Sequence, residues 1–242
     1  MVSTAQALLA ELIGTFALVF FGTLSVTLNL EVLGATSSDA IISIALVHGI
    51  ILMVMVYAIG HISGCHINPA VTIAMAAVRK ISPGRAAGYI FVQLVGAGLA
   101  AGLHSLILPE AGAKTFYGLT LPSAAIGESQ VVAFGLELTF TFFLVFAIFA
   151  TVVSGKAPQG FHGLAIGGTL VTAILVGGPL TGASLNPART FGPALISMNF
   201  TAHWAYWLGP IIGALLAALL YRYALTSHEE REEEKNLQKP SE

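Results

Sequence analysis

The chain has 242 residues, of which 56% are hydrophobic and only 9% are charged, and its formal net charge is -2. This composition, with a mean hydropathy of +0.85, excludes an ordinary soluble domain and predicts a polytopic membrane protein. No basic patch or glycine-rich phosphate loop suggests nucleic acid as a partner. The single cysteine, Cys65, excludes an internal disulfide.

Six apolar runs are each near the length, about 20 residues, that a helix needs to cross the hydrocarbon core of a lipid bilayer. In chain order they cover 5–28, 40–59, 83–108, 130–153, 160–176 and 203–225. They predict an all-α fold with six transmembrane helices. The charged segment 225–242 is predicted to be a solvated tail.

Two nearly identical segments follow the second and the fifth apolar runs, at 64–72 and 182–190. Each contains Asn-Pro-Ala, namely Asn68, Pro69, Ala70 and Asn186, Pro187, Ala188. Asparagine is a preferred helix N-cap and proline is tolerated at the first helical position. One such tripeptide would indicate only an ordinary cap, but its duplication indicates that the chain is built from two related halves.

Each Asn-Pro opens only about 11 to 13 apolar residues, enough for roughly half of the bilayer core. The repeat unit is therefore two spans, a half-helix and one span, at about 5–108 and again at 130–224, within a channel domain at 1–224. An odd number of full spans forces the second copy to enter the membrane inverted. The two half-helices are then expected to meet near the midplane.

The loops before the half-helices, predicted at 60–67 and 179–185, are allowed at membrane depth only if they are buried or line a water-filled passage. We expect their carbonyl groups to be acceptors along such a passage, with the Asn68 and Asn186 amides as donors where the two rows meet. The candidate carbonyls belong to Gly64, Cys65, His66, Gly182, Ala183 and Ser184. The passage suits a small neutral solute, because two helix N-termini make its centre unfavourable for cations.

Two acids lie within the predicted spans, and Arg189 lies in the second half-helix, where charge is costly and a role is expected. Glu11 and Glu137 occupy equivalent positions in the two repeats. A proton relay is one interpretation, and we favour the other, in which each carboxylate accepts N–H groups of the neighbouring loop. Arg189 is either a snorkelling residue at a helix end or, as we favour, a donor at the narrowest part of the passage.

Basic residues in short loops predict the orientation. One side holds Arg79, Lys80, Arg85, Lys156, Arg222, Arg231, Lys235 and Lys239, whereas the opposite loops hold Lys114. Both termini are therefore expected in the cytoplasm.

These motifs resemble those of the aquaporin (major intrinsic protein) family over about residues 5–224. The resemblance is carried by the two Asn-Pro-Ala boxes, by Arg189 after the second box, and by Glu-Leu-Ile-Gly-Thr-Phe at 11–16. It implies a homotetramer in the plasma membrane, with one pore in each subunit and passive flow of water or small neutral solutes.

The resemblance also implies that the narrow filter is formed by His48, Ile174, Ala183 and Arg189. The set differs from that of strict water channels, which have Phe and His where this chain has His48 and Ile174. It differs too from glycerol channels, which have Trp and Phe in the filter and Asp in place of Thr190. Ala194, Tyr206 and Trp207 are typical of the water type, whereas isoleucine in the filter is similar to the archaeal branch and leaves glycerol or a gas as additional solutes.

The function expected from the sequence is thus a passive channel that conducts water in single file and excludes protons and ions. A secondary transporter is the alternative, since inverted repeats with broken helices also occur in that class. An enzyme is disfavoured because the sequence has no metal-ligand cluster or nucleophile–base pair. No cofactor or metal is expected.

Overall fold

The computed structural model describes residues 2–153, 157–158 and 160–227, apart from the side chain of Ser37. The expectations for Lys156 and for most of the tail at 225–242 lie outside these residues. The described helices, in chain order, are α1 (Thr4–Thr27), α2 (Ser37–Ser63), α3 (Pro69–Ala77), α4 (Pro83–Ile107), α5 (Pro109–Lys114), α6 (Gln130–Ile148), α7 (His162–Thr181), α8 (Pro187–Ser197) and α9 (Ala205–Leu220).

Six of these helices are long and apolar enough to cross a membrane: α1, α2, α4, α6, α7 and α9. This confirms the predicted all-α architecture with six spans. Three of the spans, α1, α6 and α9, are extended by π-helical turns at Leu28–Val32, Phe149–Val153 and Tyr221–Leu225. The short helices α3 and α8 have 9 and 11 residues, so the predicted length of 11 to 13 is too long for α3.

The predicted starts of the two irregular loops, at 60 and 179, are wrong. The α2 helix continues to Ser63 and α7 to Thr181, and each helix ends at a glycine with left-handed backbone, Gly64 with φ 89° and Gly182 with φ 81°. Glycine adopts this conformation without a steric penalty and so commonly ends helices. Pro179 is accommodated inside α7.

Each half-helix packs mainly against the opposite repeat. Within the repeats, α1 packs on α2 and α4, and α6 packs on α7 and α9. Between the repeats, α2 packs on α7, while α3 lies against α9 and α8 lies against α4. Each half-helix is therefore supported by the last span of the opposite repeat, and the starts of α3 and α8 meet in the interior of the bundle.

Candidate functional site: a polar path between two half-helices

Asn68 and Asn186 cap the two half-helices with their side chains. Oδ1 of Asn68 accepts from the N–H of Ala70 at 2.9 Å, and Oδ1 of Asn186 accepts from those of Ala188 at 3.0 Å and Arg189 at 3.4 Å. Proline follows each asparagine at the first helical position, where its missing N–H costs no hydrogen bond.

The two asparagines also bind each other's loops. Because each Oδ1 is occupied as an acceptor, the amide nitrogen must face the opposite side, and it does so reciprocally. Nδ2 of Asn68 donates to the Leu185 carbonyl at 2.8 Å, and Nδ2 of Asn186 donates to the Ile67 carbonyl at 2.9 Å. An asparagine amide carries two N–H groups, so each residue keeps a second donor, and both side chains line a cavity.

Glu11 is fully buried and holds the loop before α3. Its carboxylate accepts from the main-chain N–H groups of His66 at 2.9 Å and Ile67 at 2.6 Å. Two side chains complete its shell, the Ser63 hydroxyl at 2.6 Å and the Gln93 amide at 2.8 Å. A buried carboxylate with four donors is well satisfied.

Glu137 does the same for the loop before α8. It accepts from the N–H groups of Ser184 at 2.9 Å and Leu185 at 2.8 Å and from the Thr181 hydroxyl at 2.8 Å. By accepting these N–H groups, the carboxylates satisfy loop donors that would otherwise be buried without partners. A carboxylate cannot bind the carbonyl groups of these loops, of which those of Ile67 and Leu185 accept from the asparagines.

The candidate carbonyl groups belong to two loops in which several residues have left-handed backbone conformation. Besides the two glycines, Cys65, Ile67, Ala183 and Leu185 have positive φ. Gly64, Cys65, His66 and Ser184 line one cavity, and Gly182 lines another. The His66 ring is turned back to Thr72, with Nδ1 3.1 Å from its hydroxyl.

Arg189 of α8 and His48 of α2 contact each other. Nη2 of Arg189 lies 3.4 Å from Nε2 of His48, and Nη1 donates to the Gly118 carbonyl. Nδ1 of His48 is 2.8 Å from the Ile44 carbonyl. Since a carbonyl only accepts, Nδ1 carries the proton and Nε2 of the neutral ring is free to accept from Arg189.

The two other candidate filter residues lie beside this pair. Ile174 is 2% exposed and lines a cavity with Arg189. Ala183 is buried, and its N–H donates to the Thr181 hydroxyl at 3.0 Å. His48 thus contacts Arg189, Ile174 shares a cavity with Arg189, and Ala183 packs in the same buried apolar cluster as Ile174.

Two cavities are lined by residues of the two loops and half-helices. The α3 cavity, of about 450 Å³, is lined by Asn68, Asn186, Cys65 and His66. The α8 cavity, of about 370 Å³, is lined by Arg189, Ile174, Gly182 and the 118–123 segment. Neither of these two linings includes His48 or Ala183. We call the place where His48 and Arg189 meet the neck.

Several supporting residues were not predicted from the sequence. Tyr89 donates to the Ser63 carbonyl at 2.8 Å, and Tyr206 donates to the Thr181 carbonyl at 2.7 Å. The two tyrosines occupy equivalent positions of the repeats, which is a signal that the sequence does contain. Gly118, by contrast, has no equivalent that would have pointed to it.

Comparison with known proteins agrees with this geometry. A family model described as "Major intrinsic protein" matches residues 1–221. Aquaporin NIP1-1 of Zea mays is 39% identical over 216 residues, which cover 89% of this chain and 73% of the relative. Aquaporin AqpM of Methanothermobacter marburgensis is 41% identical over an alignment of 247 positions, which covers 94% of this chain and 100% of the relative.

The fold is also similar to that of a solved structure, the aquaglyceroporin from Plasmodium falciparum. The TM-score is 0.79 at 24% identity, over 92% of this chain and 97% of the other. The family match over nearly the whole chain, the relatives at about 40% identity and the paired half-helices lead to one conclusion: the chain belongs to the major intrinsic protein family, that of the aquaporins.

Proposed function

We propose that this protein is a passive channel that conducts water in single file, and glycerol or other small neutral solutes more slowly, while excluding protons and ions. The observation that carries the proposal is the reciprocal binding of Asn68 and Asn186 to each other's loops. This arrangement leaves one N–H group of each asparagine amide free to donate to a solute, at the point where the N-termini of the two half-helices meet.

The electrostatics of this centre favour a neutral solute. Two helix N-termini present partial positive charge to the same point, and the Arg189 guanidinium adds a full positive charge at the neck. A cation would also lose its hydration shell there without a compensating anion. A water molecule whose oxygen accepts from both amides cannot at the same time maintain a continuous proton wire.

The narrowness of the neck favours water over larger solutes. A separation of 3.4 Å between His48 and Arg189 is close to hydrogen-bond length, so a solute that passes between these side chains has to displace them. Water needs the smallest displacement. Glycerol needs a larger one, which supports a slower flux.

The experiment is stopped-flow light scattering on proteoliposomes that contain the purified protein and a trapped pH-sensitive dye. We expect osmotic water permeability well above that of bare lipid, slower glycerol entry, and no proton flux above the lipid background. Water permeability equal to that of bare lipid would refute the proposal. Saturable uptake driven by an ion gradient would indicate a secondary transporter instead.

We further propose a homotetramer in the plasma membrane with both termini in the cytoplasm. The predicted distribution of basic loop residues supports the orientation. Apolar side chains exposed along the spans, such as Ile50 and Leu99, support contact with lipid or with other subunits. Chemical crosslinking in native membranes tests the oligomeric state. Protease access to the tail in sealed, inside-out vesicles tests the orientation.

A further inference from the structure

The Gly118 carbonyl that binds Arg189 is presented by an unusual turn. Phe116, Tyr117 and Gly118 all have left-handed backbone, with φ of 48°, 54° and 74°. Residues other than glycine are strained in this region. The conformation of Phe116 and Tyr117 therefore has to be imposed by what surrounds the turn.

Thr23 of α1 and His104 of α4 pack against the turn, and Thr27 of α1 binds Thr115 beside it at 2.6 Å. Gly118 packs so closely on Thr23 that an added Cβ would lie 2.8 Å from the Thr23 carbonyl oxygen. His104 is fully buried, and its Nδ1 lies 3.2 Å from the Thr23 hydroxyl. The His104 ring also meets the Tyr117 ring edge-on, with centroids 5.7 Å apart.

The polar atoms of His104 indicate that this side chain does more than fill space. Its Nε2 is buried without a hydrogen-bond partner among the described residues, which is unfavourable. An apolar ring would fill the same volume without that cost. What only the histidine provides is the contact of Nδ1 with Thr23 together with the ring contact with Tyr117.

The orientation of Arg189 depends on this turn. Its described partners are the Gly118 carbonyl and Nε2 of His48, while its Nε has none among the described residues. The Gly118 carbonyl is thus the anchor that holds the guanidinium on the α8 side of the neck. Displacement of the turn would release one of its two contacts.

We propose that His104 is a positioning residue for the selectivity filter, because it holds the strained 116–118 turn that fixes the guanidinium of Arg189. The inference rests on the proposed channel function. His104 itself touches no solute. Its effect is exerted through the Gly118 carbonyl.

Two variants separate the contacts of His104. His104→Phe keeps a ring against Tyr117 and loses the hydrogen bond to Thr23, whereas His104→Asn keeps a polar group near Thr23 and loses the ring. Ser105→Ala is the matched control, because Ser105 is the next residue of α4 and binds only the Gly102 carbonyl of its own helix in the described contacts. All are reconstituted as full-length protein, and water and glycerol permeability are measured on the same liposomes.

We expect each His104 variant to raise the ratio of glycerol to water permeability about fivefold, which corresponds to the loss of roughly one hydrogen bond. Ser105→Ala should keep the wild-type ratio. In an Arg189→Ala background His104→Phe should change the ratio no further, because the two residues act through one contact. Equal ratios in all proteins, or an undiminished effect of His104→Phe without Arg189, would overturn the inference.

A measurement without flux distinguishes this inference from the channel function. Phenylglyoxal modifies accessible arginines, and peptide mass spectrometry reports the modification of Arg189 by itself. We expect Arg189 to react several-fold faster in both His104 variants than in wild type and in Ser105→Ala. Equal rates would refute the inference even if wild type conducts water, whereas a wild type that conducts no water refutes only the proposed function.

Discussion

Nη2 of Arg189 lies 3.4 Å from Nε2 of His48, although 141 positions separate the two residues in the chain. The His48 imidazole is fixed by two further contacts. Its Nδ1 binds the Ile44 carbonyl, and its ring lies against Gly22, where an added Cβ would be 2.5 Å from Nε2. The neck is therefore bounded by two side chains that are each fixed by a main-chain carbonyl.

Removal of the imidazole should widen the neck. In His48→Ala we expect glycerol permeability to rise about tenfold, the low end of what removal of a size-selecting group produces, while water permeability changes much less. Proteoliposome swelling in a glycerol gradient measures the effect. The counterpart is Gly22→Ala, whose new methyl group should push the His48 ring away from α1 and lower the permeability to both solutes. Wild-type permeability to water and glycerol in both variants would contradict this account.

The carboxylate of Glu137 should matter more for stability than any surface carboxylate. In Glu137→Gln an amide N–H group has to face the loop N–H groups of Ser184 and Leu185, and at least one buried donor loses its acceptor. We expect a loss of about 2–3 kcal/mol, seen as a thermal midpoint lower by roughly 5 °C or more.

The control for Glu137→Gln is Glu31→Gln. Glu31 forms an ion pair with Lys114 at 3.2 Å on the surface, where such pairs contribute about 1 kcal/mol or less. Both variants should be heated at the same rate in the same detergent, since membrane proteins often unfold irreversibly. Equal midpoints for the two variants would show that Glu137 does not support the loop.

Cys65 should make the channel sensitive to mercurials. Its side chain lines the α3 cavity beside Asn68, and the chain contains no second cysteine. A mercury adduct there should block most of the water flux and be reversed by a thiol reagent, and Cys65→Ser should conduct normally and resist mercury. Inhibition that persists in Cys65→Ser would place the blocked site elsewhere.

Thr190 lies in a directed chain of hydroxyl groups. The Asn186 carbonyl can only accept, so Ser184 donates to it at 2.8 Å, Thr190 donates to Ser184 at 2.7 Å, and Thr120 donates to Thr190 at 2.7 Å. Thr190→Val leaves the buried Thr120 hydroxyl without its acceptor, so we expect a loss of about 1–3 kcal/mol.

Thr190→Ser keeps the hydroxyl and is the control. The thermal midpoints of the two variants measure the loss of stability. The glycerol-to-water permeability ratio reports whether the 118–123 segment has moved relative to Arg189. A serine variant that loses stability while the valine variant does not would mean that the methyl group of Thr190, not its hydroxyl, is what the site requires.

The predictions that succeeded from sequence depend on local chemistry. A six-span fold follows from runs of apolar residues long enough to cross a bilayer, and the starts of both half-helices follow from Asn68 and Asn186 with their prolines. The errors at positions 60 and 179 are of another kind. Gly60 and Pro179 look like helix breakers, but packing holds α2 and α7 helical past them until Gly64 and Gly182 provide the left-handed residue that ends each helix.

The amino-acid sequence by itself determined that the chain is duplicated, that each half contains a helix too short to span a membrane, and that few charged residues lie within the apolar segments. These are properties of composition, length and capping, which act over a few residues. Only the tertiary structure decided which groups bind each other. Arg189 binds the Gly118 carbonyl, His104 contacts the turn that contains Gly118, and each asparagine binds the opposite loop. Such contacts join residues about 70 to 140 positions apart, and they depend on how the helices pack, which no local pattern specifies.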